Sequence, residues 1–104
     1  MPWHPLGSSA DFPEGAVKAV AIPGSRAGVI IVRDGGVLRA LRNECPHAGK
    51  PLEDGEVKNG CITCPFHNYR FNLKNGLNVD DTDEQPAKTY PVREAGGVVE
   101  VEIS

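Results

Sequence analysis

With 104 residues, the chain has room for one compact core and not for two. Twelve glycines and nine prolines beside a hydrophobic content of 39% put much of that length into turns, which points to an all-β domain and against a helical bundle. Eleven Lys and Arg against 14 Asp and Glu leave the chain mildly acidic, with no basic stripe to neutralise phosphates, no apolar run near the roughly 20 residues that span a bilayer, and no basic-then-hydrophobic leader in Met1 to Ala10. Nucleic acid and membrane are therefore not expected as partners, and a cytoplasmic location is.

Val17 to Ile22 is apolar and β-branched and is followed by the breaker Pro23-Gly24-Ser25, so it is expected to open the sheet. Val29 to Arg33 and Val37 to Leu41 flank Asp34-Gly35-Gly36, a hairpin signal. Glu56 to Lys58 and Cys61 to Thr63 flank Asn59-Gly60, which suits a two-residue type I′ turn. Phe71 to Leu73 leads through Asn75-Gly76 to a short return strand at Leu77 and Val79. Asn78 to Lys88 is rich in acids, with Asp80, Asp81, Asp83 and Glu84, has neither helical nor strand period, and reads as an exposed loop. Tyr90 to Glu94 and Val98 to Ile103 surround Gly96-Gly97; Val99, Val101 and Ile103 alternate with Glu100 and Glu102, as a strand with one wet face requires. No segment carries helical apolar spacing over 10 to 12 residues.

Chemistry concentrates in two segments, Cys45-Pro46-His47 and, after sixteen intervening residues, Cys64-Pro65-Phe66-His67. They supply two thiolates and two imidazoles, a soft and borderline donor set suited to an iron–sulfur centre. Folding the Asn59-Gly60 hairpin back on itself would bring the two loops around one centre. Pro46 and Pro65 fix φ and remove a donor, and Gly49 allows close backbone approach. Two ferric ions, two sulfides and two thiolates sum to zero charge, whereas four thiolates would leave two negative charges. An electron is therefore accepted more easily by the mixed set, in keeping with potentials of about −150 to +300 mV for such centres against about −400 mV for plant-type ferredoxins.

Cys-x-His, sixteen residues, then Cys-x-x-His resembles the Rieske ligand pattern, and Leu52, Gly55, Phe71, Gly76 and Tyr90-Pro91-Val92 look like further family landmarks. The likeness extends over about residues 16 to 103 and leaves the first fifteen outside. It implies one Rieske domain over residues 1–104, built of antiparallel sheets, with a small cluster-binding subdomain at about residues 43–73 inserted in a larger β base. It further implies one [2Fe–2S] cluster per chain, with Cys45 and Cys64 on the inner iron and His47 and His67 on the outer iron through Nδ1. Respiratory-type members carry a disulfide between the two loops, and Lys50 and Phe66 stand at those positions here. Tyr69 and Phe71 replace the serine and tyrosine whose hydroxyls reach the cluster in those members, so a potential near the low end of the range is expected. Asn68 stands where many members have glycine, and Asn tolerates the left-handed backbone region.

Resemblance to the ferredoxin components of ring-hydroxylating dioxygenase systems implies a one-electron carrier, not itself an enzyme, between a flavoprotein reductase and a terminal oxygenase. The alternative is the small subunit of an assimilatory nitrite reductase, held by a sirohaem large subunit. A zinc-stabilised interaction module is the remaining rival, although one residue between Cys45 and His47 is tighter than zinc-finger spacing. The chain has no room for the catalytic domain of an oxygenase. Cys61 forms a Cys-x-x-Cys with Cys64, but the two would lie on opposite faces of a strand, so Cys61 is expected to be a buried or half-buried thiol. His4 is expected in a solvated tail, Trp3 either as an exposed anchor or as a cover for one end of the fold, and Asp80 to Glu84 as a solvated loop that could steer a basic partner.

Overall fold

The computed structural model describes residues 3–24, 26–46, 50–65, 68–81 and 83–102. Ten strands run in chain order: β1 (Trp3–Ser8), β2 (Val17–Val20), β3 (Val29–Asp34), β4 (Val37–Arg42), β5 (Glu56–Lys58), β6 (Cys61–Thr63), β7 (Arg70–Asn72), β8 (Thr89–Tyr90), β9 (Val92–Ala95) and β10 (Val98–Glu102). One 3-10 turn, Ser9–Asp11, follows β1, and the described residues contain no α-helix. The strands form three antiparallel sheets, ordered β1-β10-β9, β2-β3-β4-β8 and β5-β6-β7.

The middle strand β3 explains how three sheets share one small chain. Val29, Ile30, Ile31 and Val32 are all fully buried, the signature of a strand covered on both faces. Val29 and Ile31 pack with Phe12, Ile22, Leu38, Ala40, Tyr90, Val99 and Val101, a core shared with the β1-β10-β9 sheet. Ile30 and Val32 point the other way and pack with Leu41, Leu52, Ile62, Phe71, Leu73 and Ala87, together with Cys45 and Cys64. Alternation along one strand thus builds two cores on opposite sides of a single sheet.

Two of the expected hairpins form around turns that sequence chemistry dictates. Lys58 pairs with Cys61 across Asn59 and Gly60, whose φ angles of 54° and 76° are those of a type I′ turn, and this left-handed backbone geometry suits Asn followed by Gly. Asp34 pairs with Val37 across Gly35-Gly36 in the same way. The third expected hairpin is reduced: β7 starts at Arg70, and its return is a single bridge between Phe71 and Asn78. Backbone bonds from Asn72 N–H to the Leu77 carbonyl and from Val79 N–H to the Arg70 carbonyl, both 2.8 Å, flank that bridge, and within the turn the Asn72 and Asn75 side chains accept from the Lys74 and Leu77 N–H groups.

Three expectations are corrected. The first residues are not a tail outside the fold: β1 pairs with β10, setting His4 opposite Val101 and half-burying it. A bulge between Pro5 and Gly7 interrupts the pairing, and Pro5 is tolerated because β1 is an edge strand. Trp3 lies beneath the Arg93 guanidinium, 4.0 Å from its ring centroid. The expected strand Tyr90 to Glu94 is broken at Pro91, which has no N–H to donate; β8 joins the middle sheet and β9 the β10 sheet. Asn78 to Lys88 is not simply an exposed loop, since Asn78 and Ala87 are buried and Ala87 N–H donates to the Gly76 carbonyl. Ile103, expected at the end of the last strand, lies outside the described residues.

Candidate metal centre

Cys45 and Cys64 occupy equivalent places in two loops. Cys45 comes three residues after β4 ends, and its N–H donates to the Lys50 carbonyl at 2.7 Å. Cys64 follows β6 directly, and its N–H donates to the Tyr69 carbonyl, also at 2.7 Å. Each loop therefore closes on the carbonyl five residues beyond its cysteine. Asn68 N–H returns to the Cys64 carbonyl at 2.9 Å, and Asn68 takes φ of 59°, the left-handed geometry expected where relatives have glycine.

Both cysteines are fully buried, in the same core as Leu52, Ile62 and Phe71, and none of the three cysteines is in a disulfide. Two sulfurs buried at the mouths of matching loops fit a metal–sulfur centre, whose thiolates need exclusion from water and from oxidants. His47 and His67, the expected imidazole donors, lie outside the described residues, as do Gly49 and Phe66. Among the described residues no three His, Cys, Asp or Glu side chains gather to hold a metal. Cys61 is half-buried on β6, between buried Ile62 on one side and the Asn59-Gly60 turn on the other, as expected for a thiol with no part in the centre.

Several polar residues that the sequence reading did not single out brace these loops. Asn43, nearly buried, accepts from the Leu52 and Glu53 N–H groups through Oδ1. Asp80 accepts from the Arg70 backbone N–H at 2.8 Å and holds the Arg70 guanidinium through Nε and Nη2, so the acidic loop is tied to the strand that leaves the Cys64 loop. The Arg70 contact holds the Asp80 carboxyl below the usual carboxylate range. Asn78 Oδ1 caps the Asp80 and Asp81 N–H groups, and Asp81 accepts from Asp83. Asp80 remains exposed, in keeping with a solvated loop, while its carboxylate is engaged by Arg70. Gly55, a landmark in the sequence, lies where a Cβ would run into the Thr63 and Leu52 carbonyl oxygens, so the chain after the first loop packs directly on β6.

The chain belongs to the Rieske [2Fe-2S] domain family, which matches residues 2–91. The match begins well before residue 16, in agreement with β1 being part of the fold. Among curated proteins the chain is 32% identical over 101 residues to the anthranilate 1,2-dioxygenase ferredoxin subunit of Burkholderia cepacia, which covers 97% of this chain and 92% of that one. It is 36% identical over 92 residues to cholesterol 7-desaturase nvd of Hemicentrotus pulcherrimus, but spans 19% of that longer protein. Among solved structures it superposes on the Sphingomonas yanoikuyae B1 ferredoxin with a TM-score of 0.88 at 26% identity, covering 99% and 100% of the two chains. A chain from the complex of reduced oxygenase and oxidised ferredoxin in carbazole 1,9a-dioxygenase matches with a TM-score of 0.87 at 26% identity, over 95% and 91%. A nitrite reductase small subunit from Mycobacterium tuberculosis, described as putative, shares the fold, with a TM-score of 0.88 at 21% identity over 99% and 96%. This chain is homologous to ferredoxin components of dioxygenase systems. The family's cofactor is a [2Fe–2S] cluster, one for a chain of this size, in place of the rival zinc.

Proposed function

We propose that Cys45, His47, Cys64 and His67 hold the [2Fe–2S] cluster and that the chain ferries single electrons from a flavoprotein reductase to a terminal oxygenase. When bound, the cluster supplies a one-electron couple. The chain's own residues bury the two sulfur donors, close each loop on the carbonyl five residues on, and exclude water from the centre. The observation that carries the reading is the matched pair of loops, with Cys45 and Cys64 fully buried in one core.

In this reading residues 43–73 form the cluster-binding subdomain of one domain over 1–104, and the remaining strands are its β base. The carrier acts in the cytoplasm and converts no substrate of its own. Among the described residues no helix is long and apolar enough to cross a membrane. The partner assignment draws support from likeness over nearly the full length of the anthranilate 1,2-dioxygenase ferredoxin subunit. A second reading, the small subunit of a nitrite reductase, draws support from fold alone.

Mixing the reduced holoprotein with an oxidised ring-hydroxylating oxygenase and following the visible spectrum separates the two. Rapid single-electron reoxidation, with no stable complex on gel filtration, supports the carrier. Persistent reduction beside the oxygenase, with tight co-elution with a sirohaem subunit, supports the alternative.

A further inference from the structure

The two cysteine loops are not held in the same way. The Cys64 loop is gripped at both ends by a ladder, because β6 and β7 stay paired up to Thr63 and Arg70, the residues flanking Cys64 and Tyr69. The Cys45 loop has no such support. The chain leaves β4 at Arg42 and, among the described residues, enters no strand until Glu56, where β5 pairs with β6 and not with β4. Something other than a ladder must hold the two ends of this loop together.

Asn43 spans that gap. Its Oδ1 accepts from Leu52 N–H at 2.8 Å and from Glu53 N–H at 3.0 Å, while its Nδ2 donates to Glu53 Oε1 at 3.2 Å. Its own N–H donates to the Gly28 carbonyl at 3.1 Å, fixing it to the entrance of buried β3. One sp² oxygen facing two N–H groups and one amide nitrogen facing a carboxylate is the only orientation of this carboxamide that satisfies all three contacts. Asn43 is 9% exposed and Leu52 is fully buried, so an unmet Leu52 N–H would be left away from water. Inside this outer closure lies the inner one, Cys45 N–H to Lys50 carbonyl.

We infer that Asn43 is a positioning residue for the metal centre: its carboxamide takes the place of a missing strand ladder and fixes the Cys45 sulfur relative to the Cys64 loop. The inference rests on Cys45 being a cluster ligand. Groups that orient a metal ligand from outside the coordination shell change metal retention by about 10- to 100-fold when removed.

The test is made on the holoprotein, reading chelator-driven iron loss and the rhombic resonance of the reduced state. Asn43→Ala is expected to release iron about 10- to 100-fold faster than the parent and to broaden the resonance. Val99→Ala, in the opposite core, controls for lost stability and is expected to leave both readouts unchanged. Exchanging the pair, Asn43→Asp with Glu53→Gln, keeps the acceptor for both N–H groups and the net charge, and is expected to recover most of the parent's retention. Iron loss from Asn43→Ala at the parent rate, or matched by Val99→Ala at equal loss of thermal stability, overturns the inference. If Asn43→Ala does not accumulate, the exchanged pair decides: parent-like retention and resonance support the role, and rapid loss overturns it. Cys45→Ala separates this from the ligand reading, because a Cys45→Ala protein with full iron and sulfide refutes the ligand assignment itself, whatever Asn43 does.

Discussion

A thiol enters an apolar core readily, since it is small and only weakly polar, but two buried thiols at matched loop positions have a chemical purpose that packing alone does not require. Replacing either with serine keeps the size and removes the soft donor. Cys45→Ser and Cys64→Ser are each expected to abolish bound iron and sulfide while the β base stays folded, checked by metal analysis beside far-UV circular dichroism. In the proposed centre the imidazole positions would act through charge. His47→Cys, where the cluster still assembles, is expected to lower the potential in a spectroelectrochemical titration, because it adds a negative charge to a centre that is neutral when oxidised; an unchanged or higher value would contradict that reasoning. At this scale the pattern behind the four proposed donors was legible because spacing is a covalent property of the chain. Asn43 was not, since its partners Leu52 and Glu53 become neighbours only when the loop closes. Asp80 is exposed, as a run of acids suggests, but its pairing with Arg70, ten residues away across a turn, was not legible.

At the scale of strands and turns, two-residue hairpins were legible because Asn59-Gly60 and Gly35-Gly36 select one turn geometry from local chemistry. Strand β1 was hidden by Pro5 and Gly7, which break the alternation that marks a strand, and only its pairing with β10 reveals it. The split at Pro91 was invisible because each half keeps strand-like composition. Polar clamps then tie the pieces together: Arg33 binds the Phe12 carbonyl and both Glu94 oxygens, and Glu14 accepts from the Gly35 and Gly36 N–H groups at the tip of the β3–β4 hairpin. The Gly36 and Gly35 N–H groups hold Glu14 below the usual carboxylate range, and the Arg33 guanidinium does the same for Glu94. Lowered carboxylate pKa values mean that the stability they contribute is complete above the unfolded-state values and is lost as pH falls through the lower folded ones. Denaturant midpoints of the apo-protein are therefore expected to fall with acidification below about pH 4. The fall should be shallower in Glu14→Gln, which has already lost that linkage. An equal slope in the variant would remove Glu14 from the account.

For the molecule as a whole, the middle sheet divides the interior into one core that carries the cysteines and another that does not. Phe71→Ala opens the first and Ile31→Ala the second, at a cost of about 3–5 and 2–5 kcal/mol respectively. Both are expected to lower the denaturation midpoint, but Phe71→Ala alone is expected to hasten cluster loss at temperatures where both remain folded. Equal loss from the two would mean that cluster retention follows global stability and not the local core. The central claim, that the two loops enclose a [2Fe–2S] cluster, is tested most directly by iron and acid-labile sulfide analysis of anaerobically purified protein with electron paramagnetic resonance after dithionite reduction. About two iron and two sulfide per chain with a rhombic signal are predicted; a colourless protein lacking both, or one loaded with zinc, would contradict it.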